Sequence, residues 1–142
     1  IRFSYSIPGF AALLDGGLEF SSPAMRMVNN DGNLFRAGTS EWPETRQTDI
    51  LLYFTQLVDL QETIRLPGGL TLADAEIADD VDETYAAFTG SVGQHGRNLE
   101  IKSSAEVRRR QIPPDGYEGF RKAVTAAQEW GTRTIRVAKE GK

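Results

Sequence analysis

From Leu99 to Arg108 the chain alternates without a break. Leu99, Ile101, Ser103, Ala105 and Val107 are apolar or small, and Glu100, Lys102, Ser104, Glu106 and Arg108 between them are polar. A period of two sends successive side chains to opposite faces of a strand, so this stretch fits a sheet with one face on a core and the other in water. "ETYAAFTGSV" lies before it and "GQHG" between them, which predicts an antiparallel hairpin.

Most of the chain reads in the same way. "IRFSYSI" places Ile1, Phe3, Tyr5 and Ile7 on one face and breaks at Pro8-Gly9, and "GLEF" and "MRMV" are short pieces before a turn signal at residues 29–33. "DILLYFTQL", residues 49–57, is nearly continuous apolar sequence, expected as a strand buried on both sides or crowded on one face. "LQETIRLPGG" is expected as its antiparallel partner, ended by Pro67. Residues 71–83 carry Asp74, Glu76, Asp79, Asp80, Asp82 and Glu83 and read as a loop or bulged edge.

One helix interrupts the strands, over about residues 115–130. Pro113-Pro114 stops the preceding strand, and Asp115 with Glu118 has the spacing of a capping box, whose loss costs about 1 kcal/mol. Tyr117, Phe120, Val124 and Ala127 form a core-facing stripe, while Glu118 and Lys122 are spaced as an i,i+4 ion pair. Gly131 is the expected stop, and "TRTIRVA" a last strand with Ile135 and Val137 inward. The expected fold is mainly β, an antiparallel β-sandwich with one C-terminal helix before the last strand. The helix would cover an open end or edge.

At 142 residues the chain is read as a single domain, 1–142. Its opening inside a strand pattern at Ile1 suggests a fragment of a longer chain. The net charge of -4 argues against a nucleic-acid partner. No cysteine is present, so disulfides, thiolate metal sites and a cysteine nucleophile are excluded, and compartment cannot be inferred from thiols. No apolar run approaches the roughly 18 residues of a membrane-spanning helix.

No residue pattern assembles a catalytic site. His95, the one histidine, falls in the "GQHG" turn, where a surface role is expected over a triad. The acidic run lacks the spacing of a calcium loop, and nothing in it marks a glycosidase acid and base. The 14 glycines form no phosphate-binding pattern. No metal or other cofactor is expected. Arg108, Arg109 and Arg110 suit either a phosphate or carboxylate site or solvated edge charge, and strand alternation would send Arg109 to the opposite side from its neighbours. Trp42 and Trp130 suit a sugar site or a core.

Taken in order, "ETRQTDILL", "ETIRLPGG", "AAFTGSV", "LEIKSSAEVRRRQIPPDGYEGFRK" and "TIRVAKEG" resemble the C-terminal domain of unknown function that follows the transglutaminase-like core in bacterial multidomain proteins. The matching positions are Arg46, Leu66-Pro67-Gly68, the strand 99–110, Ile112-Pro113, Tyr117 and Ile135 to Val137, and the resemblance covers the chain from about residue 44 onward. It implies an exported, periplasmic or extracellular protein whose catalytic triad lies upstream. None of that triad carries over to this chain.

The expected function is therefore a non-catalytic accessory or interaction domain, with Trp42, Arg46, Arg108 and Arg110 as candidate partner or ligand contacts. The partner would be a neighbouring transglutaminase-like domain of the same chain or another protein. One alternative is a stand-alone carbohydrate- or peptide-binding sandwich using Trp42, Tyr53 or Tyr85; another is a hydrolase using the acidic cluster with His95.

Overall fold

The computed structural model describes residues 7–29, 42–74 and 77–139. Among these residues the fold is mainly β and antiparallel, with two α-helices, the longer of them immediately before the final strand. A hairpin, β1 (Ala11–Leu14) and β2 (Gly17–Phe20), leads into the short helix α1 (Pro23–Met27). The next strands are β3 (Ile50–Leu51), β4 (Gln56–Arg65), β5 (Leu70–Leu72), β6 (Ile77–Asp82), β7 (Ala86–His95), β8 (Asn98–Val107) and β9 (Gln111–Ile112). A 3-10 turn, Pro114–Gly116, then opens into α2 (Tyr117–Thr132), and β10 (Ile135–Lys139) closes the fold.

The main sheet has the order β4-β8-β7-β6, the second β1-β2-β10-β5, and β3 with β9 forms a separate two-stranded ribbon. The hairpin legible in the sequence is β7 and β8, paired from Ala86↔Val107 to His95↔Asn98. Gly96 and Arg97 make its turn. Gly96 has φ 59° and Arg97 does not share that sign, the pattern of a II′ turn whose twist matches the strands it joins. Leu99, Ile101, Ser103, Ala105 and Val107 all face inward and are buried, as their alternation requires.

Helix α2 supplies the layer over that inner face. Tyr117, Phe120, Val124 and Ala127 are buried, and so are Ala123 and Trp130. The Trp130 ring lies flat against Gly90 of β7, where a Cβ would approach the ring to 2.7 Å. Because β7 is an inner strand, α2 covers the face of the sheet. The expectation that it would cover an end or edge is corrected.

The ends of α2 also differ from expectation. Asp115 sits in the 3-10 turn, and Gly116 at the N-cap makes no side-chain capping bond, so the capping box does not form. The Gly116 amide donates to the Pro113 carbonyl at 3.0 Å, so it has a backbone partner. Lys122 pairs with Glu83 at 3.1 Å. Gly131 is a buried residue of the last turn, against which the Asn29 side chain packs closely, and Asn29 Nδ2 donates to the Gln128 carbonyl at 3.1 Å. The helix continues to Thr132.

Residues 49–57 depart most from expectation. They form no single buried strand: β3 has two residues, and β4 starts only at Gln56. β4 then runs to Arg65 and pairs with β8, so "LQETIRLPGG" is not a partner for residues 49–57. The β4 register turns Val58, Leu60 and Ile64 inward and Leu57 outward, since neighbours in a strand must take opposite faces. Leu51 is 75% exposed, Tyr53 91%, Phe54 45% and Leu57 61%.

"GLEF" is β2, whereas "MRMV" contributes to α1, capped by Ser22 Oγ, which accepts from the Met25 amide at 3.1 Å. The end of the acidic run, expected as a loop or bulged edge, is the regular edge strand β6. The pattern at residues 1–6 and most of the turn signal at 29–33 lie outside the described residues. No helix among the described residues is long and apolar enough to cross a membrane.

Candidate functional site

Strand β8 ends at Val107, and the three arginines that follow cross the end of the sheet. The Arg108 amide donates to the Tyr85 carbonyl at 2.9 Å, and the Leu52 amide donates to the Arg110 carbonyl at 2.7 Å. Over the next two residues β3 and β9 pair as Leu51↔Gln111 and Ile50↔Ile112. Between these connections lies a groove of about 640 Å³, lined by Thr55, Thr84, Tyr85, Gln111, Pro113 and all three arginines. Alternation does not continue past Val107, so Arg109 is on the same groove as Arg108 and Arg110. This corrects its expected placement on the opposite side.

The three guanidinium groups differ in what they hold. Arg108 Nη2 meets Asp82 at 2.7 Å and its Nε meets Glu106 at 2.8 Å, while its Nη1 donates to the Glu83 carbonyl at 2.7 Å. These contacts, the Glu106 hydrogen bond first and Asp82 next, hold its pKa above the ordinary arginine value. Arg108 is therefore a fixed, neutralised wall. Arg110 donates Nε to the Leu52 carbonyl at 3.1 Å, a contact that leaves its two terminal nitrogens available. Arg109 is exposed and has no hydrogen-bond or ion-pair partner among the described residues.

The other two expected contact residues lie elsewhere. Trp42 stacks on Tyr117 and Phe120, with ring centroids 6.3 and 5.9 Å away. The Arg46 guanidinium lies 5.8 Å from the Tyr117 ring centre, and the Tyr117 hydroxyl donates to the Pro43 carbonyl at 2.7 Å. Trp42 and Arg46 thus fasten residues 42–46 to the start of α2, while Arg108 and Arg110 share the groove. Thr55 and Thr84 were not singled out by their sequence positions, and Arg109 was read in the run but on the wrong side. Three consecutive charges cannot keep a period of two, and that break was the available signal.

An aromatic platform of Trp42, Tyr53 and Tyr85 is not assembled. Trp42 is used in stacking, and half-buried Tyr85 packs so closely on Gly116 that a Cβ there would come within 2.2 Å of its ring. Of the acidic run, Asp79 pairs with Arg133 at 3.0 Å, Asp82 with Arg108 and Glu83 with Lys122. His95 is exposed and lies six residues along β7 from Thr89, the partner of Asp80, a separation of about 20 Å. Asp74 and His95 do line one shallow hollow with Leu72 and Gln94, but no hydrogen bond joins the two. Among the described residues no group of acidic and histidine side chains could hold a metal ion.

These features define an antiparallel β domain whose sheet is faced by a helix and ends in a cationic groove beside exposed apolar side chains. The chain belongs to the family described as "Domain of Unknown Function with solved-structure structure (DUF3858)", which matches residues 27–136. A solved structure from Parabacteroides distasonis ATCC 8503, described as a candidate protease, shares the fold with a TM-score of 0.70 at 16% sequence identity. The similarity covers 87% of this chain and 24% of that one, so this chain spans about a quarter of that protein's length. No curated protein matches the chain in sequence.

Proposed function

We propose that this chain is a non-catalytic accessory domain that docks on a neighbouring transglutaminase-like domain through residues 51–57. The observation that carries the reading is the exposure of Leu51, Tyr53, Phe54 and Leu57 on one short segment. Single exposed apolar residues are ordinary, but four within seven positions mark a surface that gains from being covered. Two further facts support it. The same fold accounts for about a quarter of a protein described as a candidate protease, and the acidic residues Asp79, Asp82 and Glu83 are engaged in ion pairs.

The test is hydrogen exchange on the complete natural gene product, compared with the 142-residue chain alone. The amides of residues 51–57 are expected to exchange more slowly in the complete product. Equal exchange in the two, or a product with no further domain, overturns the reading.

A further inference from the structure

We infer that the arginine groove binds a carboxylate, an aspartate or glutamate side chain presented by the polypeptide that covers residues 51–57. The inference rests on the docking reading and adds the chemistry of the partner's contact. Groove and apolar segment are one structure, since Thr55 lines the groove between Phe54 and Leu57 and the Leu52 carbonyl holds Arg110 Nε at 3.1 Å. An occupant of the groove would therefore lie beside the apolar segment.

The free donors set the ligand class. Arg108 is consumed by Asp82, Glu106 and the Glu83 carbonyl, which leaves Arg109 and the terminal nitrogens of Arg110 to meet an incoming group. Thr55, Thr84 and Tyr85 line the same groove. Guanidinium groups are forked donors that fit a carboxylate or phosphate with two parallel bonds.

Among unmodified polypeptide side chains, the anion that matches forked donors is a carboxylate. Asp82 and Glu106 sit on Arg108 and offset its charge, and Asp49 is held by the Gln111 side chain, so the uncompensated charge of the groove is that of Arg109 and Arg110. The apolar flank decides between a free acid and a polypeptide. A small free acid would leave Leu51, Tyr53 and Phe54 uncovered, while an acidic residue with apolar neighbours would cover them and meet arginine, a residue type favoured in interface cores.

The test is a chemical-shift titration of the isotope-labelled 142-residue chain. Three probes are compared: the capped tripeptide Leu-Glu-Phe, the same peptide with glutamine for glutamate, and inorganic phosphate. Saturable shifts at Thr55, Thr84 and residues 109–111 are expected with the glutamate peptide, weakened about tenfold in R109Q/R110Q and by added salt. Equal shifts with the glutamine peptide overturn the carboxylate, saturation by phosphate alone overturns the polypeptide source, and no saturation by any probe overturns the site. R109Q/R110Q in the complete gene product separates this inference from docking itself. Loss of protection at residues 51–57 supports the carboxylate contact, and unchanged protection overturns it while docking stands.

Discussion

Glu19 and Arg136 face each other across β2 and β10, and the arginine Nε donates to the carboxylate at 2.6 Å. That hydrogen bond first, then the charge of Arg136 and a bond from Thr134, outweigh desolvation and hold the Glu19 carboxyl below its ordinary value of 4.5. A lowered carboxylate pKa contributes stability above the unfolded-state value, and that contribution is lost as pH falls through the folded-state value. Glu19→Gln is therefore expected to lower the melting temperature at neutral pH and to have progressively less effect as pH falls through the folded-state value. An equal loss at neutral and acid pH would show that charge is not the cause. Gly90 gives a second test at this scale. A Cβ there would approach the Trp130 ring to 2.7 Å, so Gly90→Ala is expected to cost about 1–3 kcal/mol in urea denaturation. A glycine inside a strand pattern announces a close approach. That the approaching group is Trp130, forty positions along the chain, is a tertiary fact no local pattern carries.

Helix α2 joins what the sequence made legible to what it hid. Its stripe follows from the spacing of Tyr117, Phe120, Val124 and Ala127, and all four are buried. Phe120 also stacks on Trp42, so Phe120→Ala is expected to destabilise the fold by about 3–5 kcal/mol, read by chemical denaturation. A melt unchanged by that substitution would make the helix peripheral. The β7-β8 hairpin was equally legible because its pairing is local and its period unbroken. Helix ends were not, since the 3-10 turn and the fit of Asn29 against Gly131 decide them. Residues 49–57 misled for a physical reason. Hydrophobicity predicts burial only where a partner surface exists, and the register of β4 on β8 leaves Leu57 facing outward. The arginine run stood out as charge, yet its geometry depends on β8 stopping at Val107. Trp42 and Arg46 were placed by Tyr117 and Phe120, partners more than seventy residues away.

At the scale of the molecule, the apolar segment adjoins β4, a ten-residue edge strand that carries no second neighbour among the described residues. Long edges beside apolar side chains are templates for association. Two carboxylates oppose this. Asp59 is exposed on the outer face and accepts from Ser104 at 2.6 Å, and Glu62 on the inner face accepts from the Ser22 hydroxyl beside α1. These charges discourage strand addition along the middle of β4 but do not flank Leu57, the second residue of the strand. The isolated chain is thus expected to self-associate with rising concentration through residues 51–57, and Tyr53→Ser with Leu57→Ser to reduce that association in sedimentation equilibrium. Because both side chains are largely exposed, the double variant should unfold within about 1 kcal/mol of the parent, the sum of two small surface effects. A large loss of stability would mean that the segment packs within its own fold. Unchanged stability with unchanged association would place the sticky surface elsewhere, with Leu13 and Leu14 on β1 the next exposed apolar pair to replace.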